Sequence, residues 1–324
     1  MKKKILPVLL LSFLSLIFTE NQAFSRRKIT HQPSYLKSLS GSLFFHRYST
    51  YEALDGKIFM LDIESLKLVE LSKDWNIISP MNPHISNNSK YLTFMGLRPS
   101  DKKWSVFLWN FDKLKKPENI TNDQFYRNED PKFSYDSQDI IFKCDGGLCR
   151  YNIESKEIKK ILTYHKEASM PYWHPEKKGI IFSSGARSQA DIDFLDLSTG
   201  HVKPLNNKID LQEYYPIFLN RNKYYYTRWI SQTKPYDQIY LGFLNGREPR
   251  RLPFNTEKTN SSDPCPINRS YLFFSRHDPT TKEGYNLHLA NRWNASTYKL
   301  PIHVNSKLEE LGCSYSRYRF LDLL

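Results

Sequence analysis

The chain reads as all-β: a six-bladed β-propeller closed by pairing of its C-terminal strand into the first blade. Three observations predict this. Pro83, Pro131, Pro171, Pro216 and Pro264 recur at spacings of 48, 40, 45 and 48 residues. Each marker opens a short strand followed by a β-branched or aromatic run, as in repeat architectures. A further 48 residues lead to Gly312, in a strand-like segment, Leu311-Gly312-Cys313-Ser314-Tyr315-Ser316, with no unit behind it. The first unit in turn lacks a first strand, so the orphan completes it and removes an exposed edge.

Taken in order, residues 1–23 have the form of a bacterial-type secretory signal. Lys2-Lys3-Lys4 is a positive start, Ile5 to Phe18 is apolar but too short to span a bilayer, and Asn21-Gln22-Ala23 offers a small residue before a cut. An uncleaved anchor is the alternative. Residues 24–38 form a polar arm, and 39–324 are the propeller. Blade one starts with Ser40 to Phe45 and Lys57 to Ile63. Blade two has Asn82 to Ser86, Tyr91 to Phe94 and Val106 to Asn110, and closes at Asn119 to Thr121. Blade three has Asp130 to Ser134, Ile140 to Phe142 and Leu148 to Asn152.

Blade four is the clearest. Met170 to Trp173, Gly179 to Ser184, Asp191 to Leu197 and His201 to Leu205 are four strands, with turns at Pro175 to Lys178 and Ser198-Thr199-Gly200. Blade five has Tyr215 to Phe218, Tyr224 to Thr227 and Gln238 to Leu241. Blade six has Asp263 to Ile267, Leu272 to Ser275 and Asn286 to Ala290.

Aromatic residues are 15% of the chain against only 12 glycines, which favours a packed β protein over a disordered one. The formal charge is +13, and loss of Lys2, Lys3, Lys4 and Glu20 with the leader makes it +11. A basic balance fits nucleic acid, an anionic glycan or an acidic envelope surface. Export excludes nucleic acid and leaves an acidic glycan or an envelope protein as partner. The expected location is periplasmic or secreted, with no transmembrane segment after cleavage and a monomeric state.

Four cysteines in an exported chain suggest two disulfides with three possible connectivities. Cys144 and Cys149 flank a Gly-Gly turn, so they face each other across a hairpin. Cys265 and Cys313 follow the marker position in blades six and one, so a bond between them would latch the seam.

Aligning second strands superposes Phe45, Phe94, Phe142, Phe182, Tyr226 and Phe274. Two residues later come Arg47, Gly96, Cys144, Ser184, Arg228 and Arg276. Three arginines thus share one repeat position on neighbouring blades five, six and one. A guanidinium fork suits carboxylate, sulfate or phosphate. Arg47, Arg228 and Arg276, with Trp229, Tyr48 and Asp278, are the expected ligand-binding residues. His46, His277 and Tyr48 are the candidates for acid–base work. The competing reading is that each arginine pairs locally and braces the blades. No His-x-x-x-His or Glu-x-x-His spacing occurs, so neither metal nor cofactor is expected. Glu129, Asp130, Glu167, Glu213 and Asp263 precede first strands near one mouth, where turn use is the simpler role.

The repeat itself, Asp-Pro-x-Phe-Ser at Asp130 to Ser134 and Asp-Ile-x-Phe-Leu-Asp-Leu-x-Thr-Gly at Asp191 to Gly200, resembles the TolB-like propeller family over about residues 40–320. That resemblance implies the propeller fold and leaves function open, because the family includes envelope proteins, protease-associated propellers and uronate lyases. TolB carries an α/β domain ahead of its propeller. Here about twenty residues precede the first blade after the leader, which points away from a direct Tol-system role. The leading expectation is non-catalytic binding of an acidic ligand or partner at one channel mouth. The alternatives are a lyase acting on a uronate glycan, with arginine neutralising the carboxylate and histidine or tyrosine as base, and a structural envelope scaffold.

Overall fold

The computed structural model describes residues 36–113, 116–121, 124–163, 167–185, 189–205 and 211–321. The expected leader and nearly all of the expected arm lie outside the described residues. Six four-stranded antiparallel sheets follow one another along the chain. Blade four consists of Ala168–Trp173, Gly179–Ser184, Asp191–Asp196 and Val202–Pro204, paired in sequence order. Blade one is assembled from both ends of the chain. Glu309–Ser316 pairs antiparallel with Ser42–Tyr48, setting Leu43 opposite Tyr315 and Arg47 opposite Glu310. This is the ring closure expected from the orphan segment.

The core lies between the blades. Each large apolar cluster combines residues of two neighbouring sheets. Phe45 and Phe59 of blade one pack with Phe273 and Leu287 of blade six, and Phe44 and Met60 pack with Phe94 and Phe107 of blade two. All six aligned second-strand aromatics, Phe45, Phe94, Phe142, Phe182, Tyr226 and Phe274, have no exposed surface. Truncating one such ring to alanine costs about 3–5 kcal/mol, so the repeat aromatic is the main determinant of blade stacking.

First strands begin two to four residues earlier than the marker prolines suggested, for example at Ile78, Asn128 and Glu213. The cause is a bulge. In every blade the pairing of first and second strands shifts register around the marker. The residue at each bulge has positive φ: Asn82 52°, Asp130 54°, Met170 50°, Tyr215 57°, Asp263 53° and Gly312 61°. A bulge re-aims a side chain and leaves one residue out of the ladder. Proline directly afterwards suits a site whose N–H has no ladder partner. Gly312 replaces a larger residue because a Cβ there would lie 2.6 Å from the His46 ring and 2.8 Å from Asn82 Oδ1.

Cys144 and Cys149 are joined by a disulfide across the predicted hairpin, with Cα atoms 5.7 Å apart. Cys265 and Cys313 are free thiols in this structure. Among the described residues no helix is long and apolar enough to cross a membrane.

Candidate functional site

The second strands carry Arg47, Arg228 and Arg276 to the same mouth but into three different interblade layers. Side chains two apart on a strand share a face, so each arginine follows its core aromatic toward a neighbouring blade. Arg47 donates to Glu310 Oε1 at 2.7 Å and to the Val304 carbonyl at 2.6 Å, with its guanidinium 4.4 Å from the Phe59 ring. Arg228 lies 3.7 Å from the Tyr240 ring centroid and 3.8 Å from Glu213. Arg276 donates to Ser261, Thr297 and the Phe254 carbonyl, and burial lowers its pKa to about 10. The three guanidiniums share no partner in these contacts and do not converge.

The neighbouring candidates divide into two groups. His46 is buried, stacks on Tyr48 at 5.6 Å and accepts the Asn82 N–H at Nδ1, 3.3 Å away. Burial, then the charge of Lys132, pushes its pKa down to about 3, so it is neutral. Burial likewise raises the Tyr48 pKa, helped by Glu309. On blades five and six, the Tyr285 hydroxyl donates to buried Asp237 at 2.9 Å, and the His277 ring packs at a tilt against Tyr285, 5.5 Å away. Asp278 is a turn residue whose Oδ1 accepts from the Thr280 backbone and hydroxyl.

The bulge residues meet at the channel centre. Asn82 of blade two donates to Asp130 of blade three at 2.7 Å, and the Met170 N–H of blade four reaches Asp130 at 3.3 Å. Asp263 of blade six accepts the Gly312 N–H of blade one at 2.9 Å. The Tyr215 hydroxyl of blade five donates to Asn82 Oδ1 at 3.4 Å. Blades two and five are opposite in a ring of six, so this bond crosses the channel. Lys132 reaches in from blade three, 5.9 Å from the Tyr215 ring, and its pKa is lowered by burial and held up by Asp130 and Asp263. Burial raises the Asp263 pKa to about 6. A polar plug thus spans the channel between its two ends.

Beyond the plug, at the mouth opposite the strand arginines, is a cavity of about 1320 Å³. Its walls come largely from the hairpins joining first to second strands. Arg269 and Arg292 of blade six, Arg317 of blade one and Lys223 of blade five line it, and among the described residues no carboxylate does. Arg269 and Arg317 are exposed, and neither makes an ion pair among the described residues. Arg292 stacks on Trp293 at 4.1 Å, and its buried Nε–H has no acceptor among the described residues. These four cations stand on the blades expected to carry a cationic sector, at the other end. A sequence signal for them exists in the turns. Asn220-Arg221-Asn222-Lys223, Asn268-Arg269-Ser270 and Ser316-Arg317-Tyr318-Arg319 are basic, whereas the blade-three turn contains Asp136 and the lysines of the blade-four turn, Lys177 and Lys178, pair with Asp136 and Glu176. Among the described residues no group of three His, Cys, Asp or Glu side chains is placed to hold a metal ion.

No family model and no curated protein matches the chain. Solved structures match its fold. TolB from Acinetobacter baumannii is 14% identical with a TM-score of 0.65, over 85% of this chain and 66% of its own length. Kuenenia stuttgartiensis hydrazine synthase is 12% identical with a TM-score of 0.68, over 88% of this chain and 48% of its own. Oligogalacturonate lyase from Vibrio parahaemolyticus is 11% identical with a TM-score of 0.53, over 81% of this chain and 73% of its own. At these identities the likeness is one of fold. It defines the class as a six-bladed propeller of the architecture found in TolB. The chain thus spans just under two-thirds of that TolB chain and about half of the hydrazine synthase chain.

Proposed function

We propose that this protein is an exported, non-catalytic binding propeller that receives an acidic ligand or partner at the mouth built by its first-to-second-strand hairpins. The observation that carries this reading is the cavity lined by Arg269, Arg292, Arg317 and Lys223 with no carboxylate among the described residues. Cations without ion-pair partners among the described residues, as Arg269 and Arg317 are, attract an anionic one, and a cleft focuses their field. The Cys144–Cys149 disulfide suits an oxidising compartment and supports export to the periplasm or medium. A uronate lyase requires a base beside its arginine. His46 and Arg47 are adjacent on one strand and so face opposite sides, and His46 is buried in the plug with Nδ1 taken by the Asn82 N–H. This supports binding over catalysis.

Titration calorimetry of the exported chain with polyglutamate and polygalacturonate, with neutral dextran as control, tests the reading. Binding of the acidic polymers is expected to weaken at least about tenfold in Arg269→Ala/Arg317→Ala, since 1.4 kcal/mol is a decade. Equal binding of dextran, or no loss in the double variant, would overturn it. Growth of ultraviolet absorbance on polygalacturonate would instead favour a lyase.

A further inference from the structure

We infer that the acidic partner is the phosphate layer of an anionic membrane, with a lipid headgroup phosphate seated in the cavity and the surrounding face resting on the bilayer surface. The inference rests on the binding reading above and names its partner. Three features of this face favour a lipid surface over an acidic protein.

The first is the pattern of exposed large side chains. Tyr135 and Tyr318 line the cavity and are 65% and 49% exposed, and Trp293, 67% exposed, stacks on the cavity residue Arg292. These rings have an apolar body and a polar tip, the residue type that settles at the headgroup level of a bilayer. The second is the placement of charge. Arg269 and Arg317 stand on hairpin tips at the cavity rim, and Arg221 is exposed on the next tip. Basic groups at a protein's edge gain about 1 kcal/mol each near an anionic leaflet. The third is the cavity floor. The buried Arg292 Nε–H has no acceptor among the described residues, and a phosphate oxygen is an acceptor of the needed charge. A folded protein partner would call for an apolar centre inside a polar rim, whereas here cations stand both in the cavity and at its rim, with exposed Tyr135, Tyr318 and Trp293 among them.

The experiment is co-sedimentation of the chain, recovered after export, with two kinds of vesicle. One contains equal parts of phosphatidylglycerol and phosphatidylcholine, the other phosphatidylcholine alone. Partition onto the anionic vesicles is expected to fall about thirtyfold in Arg269→Ala/Arg317→Ala, from two charges at about 1 kcal/mol each, and to weaken as salt screens the surface. Trp293 is the exposed tryptophan among the described residues, so a blue shift of emission on binding is expected and should vanish in Trp293→Tyr. Glycerol phosphate in solution separates a lone phosphate site from a surface: competition at millimolar levels with no vesicle binding would overturn the membrane inference. Vesicles ignored while polyglutamate still binds would overturn it too, and leave the binding reading standing. If neither vesicles nor acidic polymers bind, both fall. Circular dichroism of each variant guards against misfolding. If Arg269→Ala/Arg317→Ala unfolds, Arg269→Gln/Arg317→Gln gives the same comparison.

Discussion

The two ends of this propeller use the same kind of residue in opposite ways. At one mouth, Arg47 and Arg276 are held by carboxylate, carbonyl and hydroxyl partners inside the blade stack, and Arg228 lies flat on Tyr240. At the other, Arg269 and Arg317 stand on hairpin tips around a cavity without ion-pair partners among the described residues. The difference follows from strand geometry. A residue two places after a buried aromatic points where the aromatic points, into the layer between blades. A residue in the turn between strands has no layer to enter and stays at the rim. The strand cations therefore brace, and Arg269 and Arg317 at their tips have no ion pair among the described residues, whereas Lys177 on the blade-four tip is held by Asp136 and Asp139 at 2.7 Å.

The largest expected effect lies at the seam between the two ends. Cys313 of the closing strand donates to the Asp263 carbonyl of blade six at 3.9 Å, and burial followed by the neighbouring Cys265 raises its pKa well above the usual thiol range. We propose that this pair closes on exchange with oxidised glutathione, which takes up both sulfur protons and electrons as two reduced thiols. Cross-linking residues 48 apart constrains the unfolded chain by about 4 kcal/mol. Peptide mass mapping should find Cys265 joined to Cys313 after oxidation, with a higher melting temperature than in Cys313→Ser. If both thiols still alkylate after unfolding and melting is unchanged, packing alone holds the seam.

Next is the brace itself. Glu310 has a fully buried side chain, and Arg47 is its charged partner at 2.7 Å. Removing one member of a buried pair leaves an uncompensated charge and costs about 3–5 kcal/mol. The Ser306 bonds to Glu310 remain, so Arg47→Ala should lose about 3 kcal/mol in urea melts. Unchanged stability with lost anion binding would return the strand arginines to the role of a ligand pocket.

The plug gives a pH signature of somewhat smaller size. Asp263 sits among Lys132, Asp237, Ser262 and the Gly312 N–H, and burial raises its pKa to about 6. An acid whose folded pKa lies above its unfolded value near 3.9 loses stability on ionising. The protein should weaken as pH climbs from about 4 to about 6 and then level off. Asp263→Asn keeps an oxygen for Gly312 and removes the buried charge. It should therefore gain roughly 2–3 kcal/mol above pH 6 and nothing near pH 4. A gain that does not vary with pH would mean that the charge is already compensated by Lys132.

The fold was legible because it rests on repeated residues. The proline markers, the second-strand aromatics and the orphan at Gly312 each predicted a feature that the structure contains, including the pairing of the C-terminal strand into the first blade. The sites were less legible because direction is not repeated in the same way. Superposing Arg47, Arg228 and Arg276 gave their common height, while their common face with Phe45, Tyr226 and Phe274 carries them into separate layers. The plug was partly visible, since Asp130 and Asp263 stand before marker prolines. Positive φ at Asn82 fits a residue type enriched there, while Met170 and Tyr215 are not residue types that announce it.

The smallest effect separates the two ends most cleanly. Arg269 and Arg317 are exposed at turn positions, and substitutions at such sites fall within about ±0.5 kcal/mol. Removing the two charges also relieves repulsion with nearby Arg292 and Lys223, which line the same cavity. Stability in Arg269→Ala/Arg317→Ala should therefore be unchanged or slightly higher at low ionic strength, and the gain should fade as salt screens it. Urea melts at low and high salt measure this directly. A loss of more than about 1 kcal/mol would exceed the surface range. It would show that these arginines, like those at the other mouth, hold the blades together, and the contrast between strand cations and tip cations would fail.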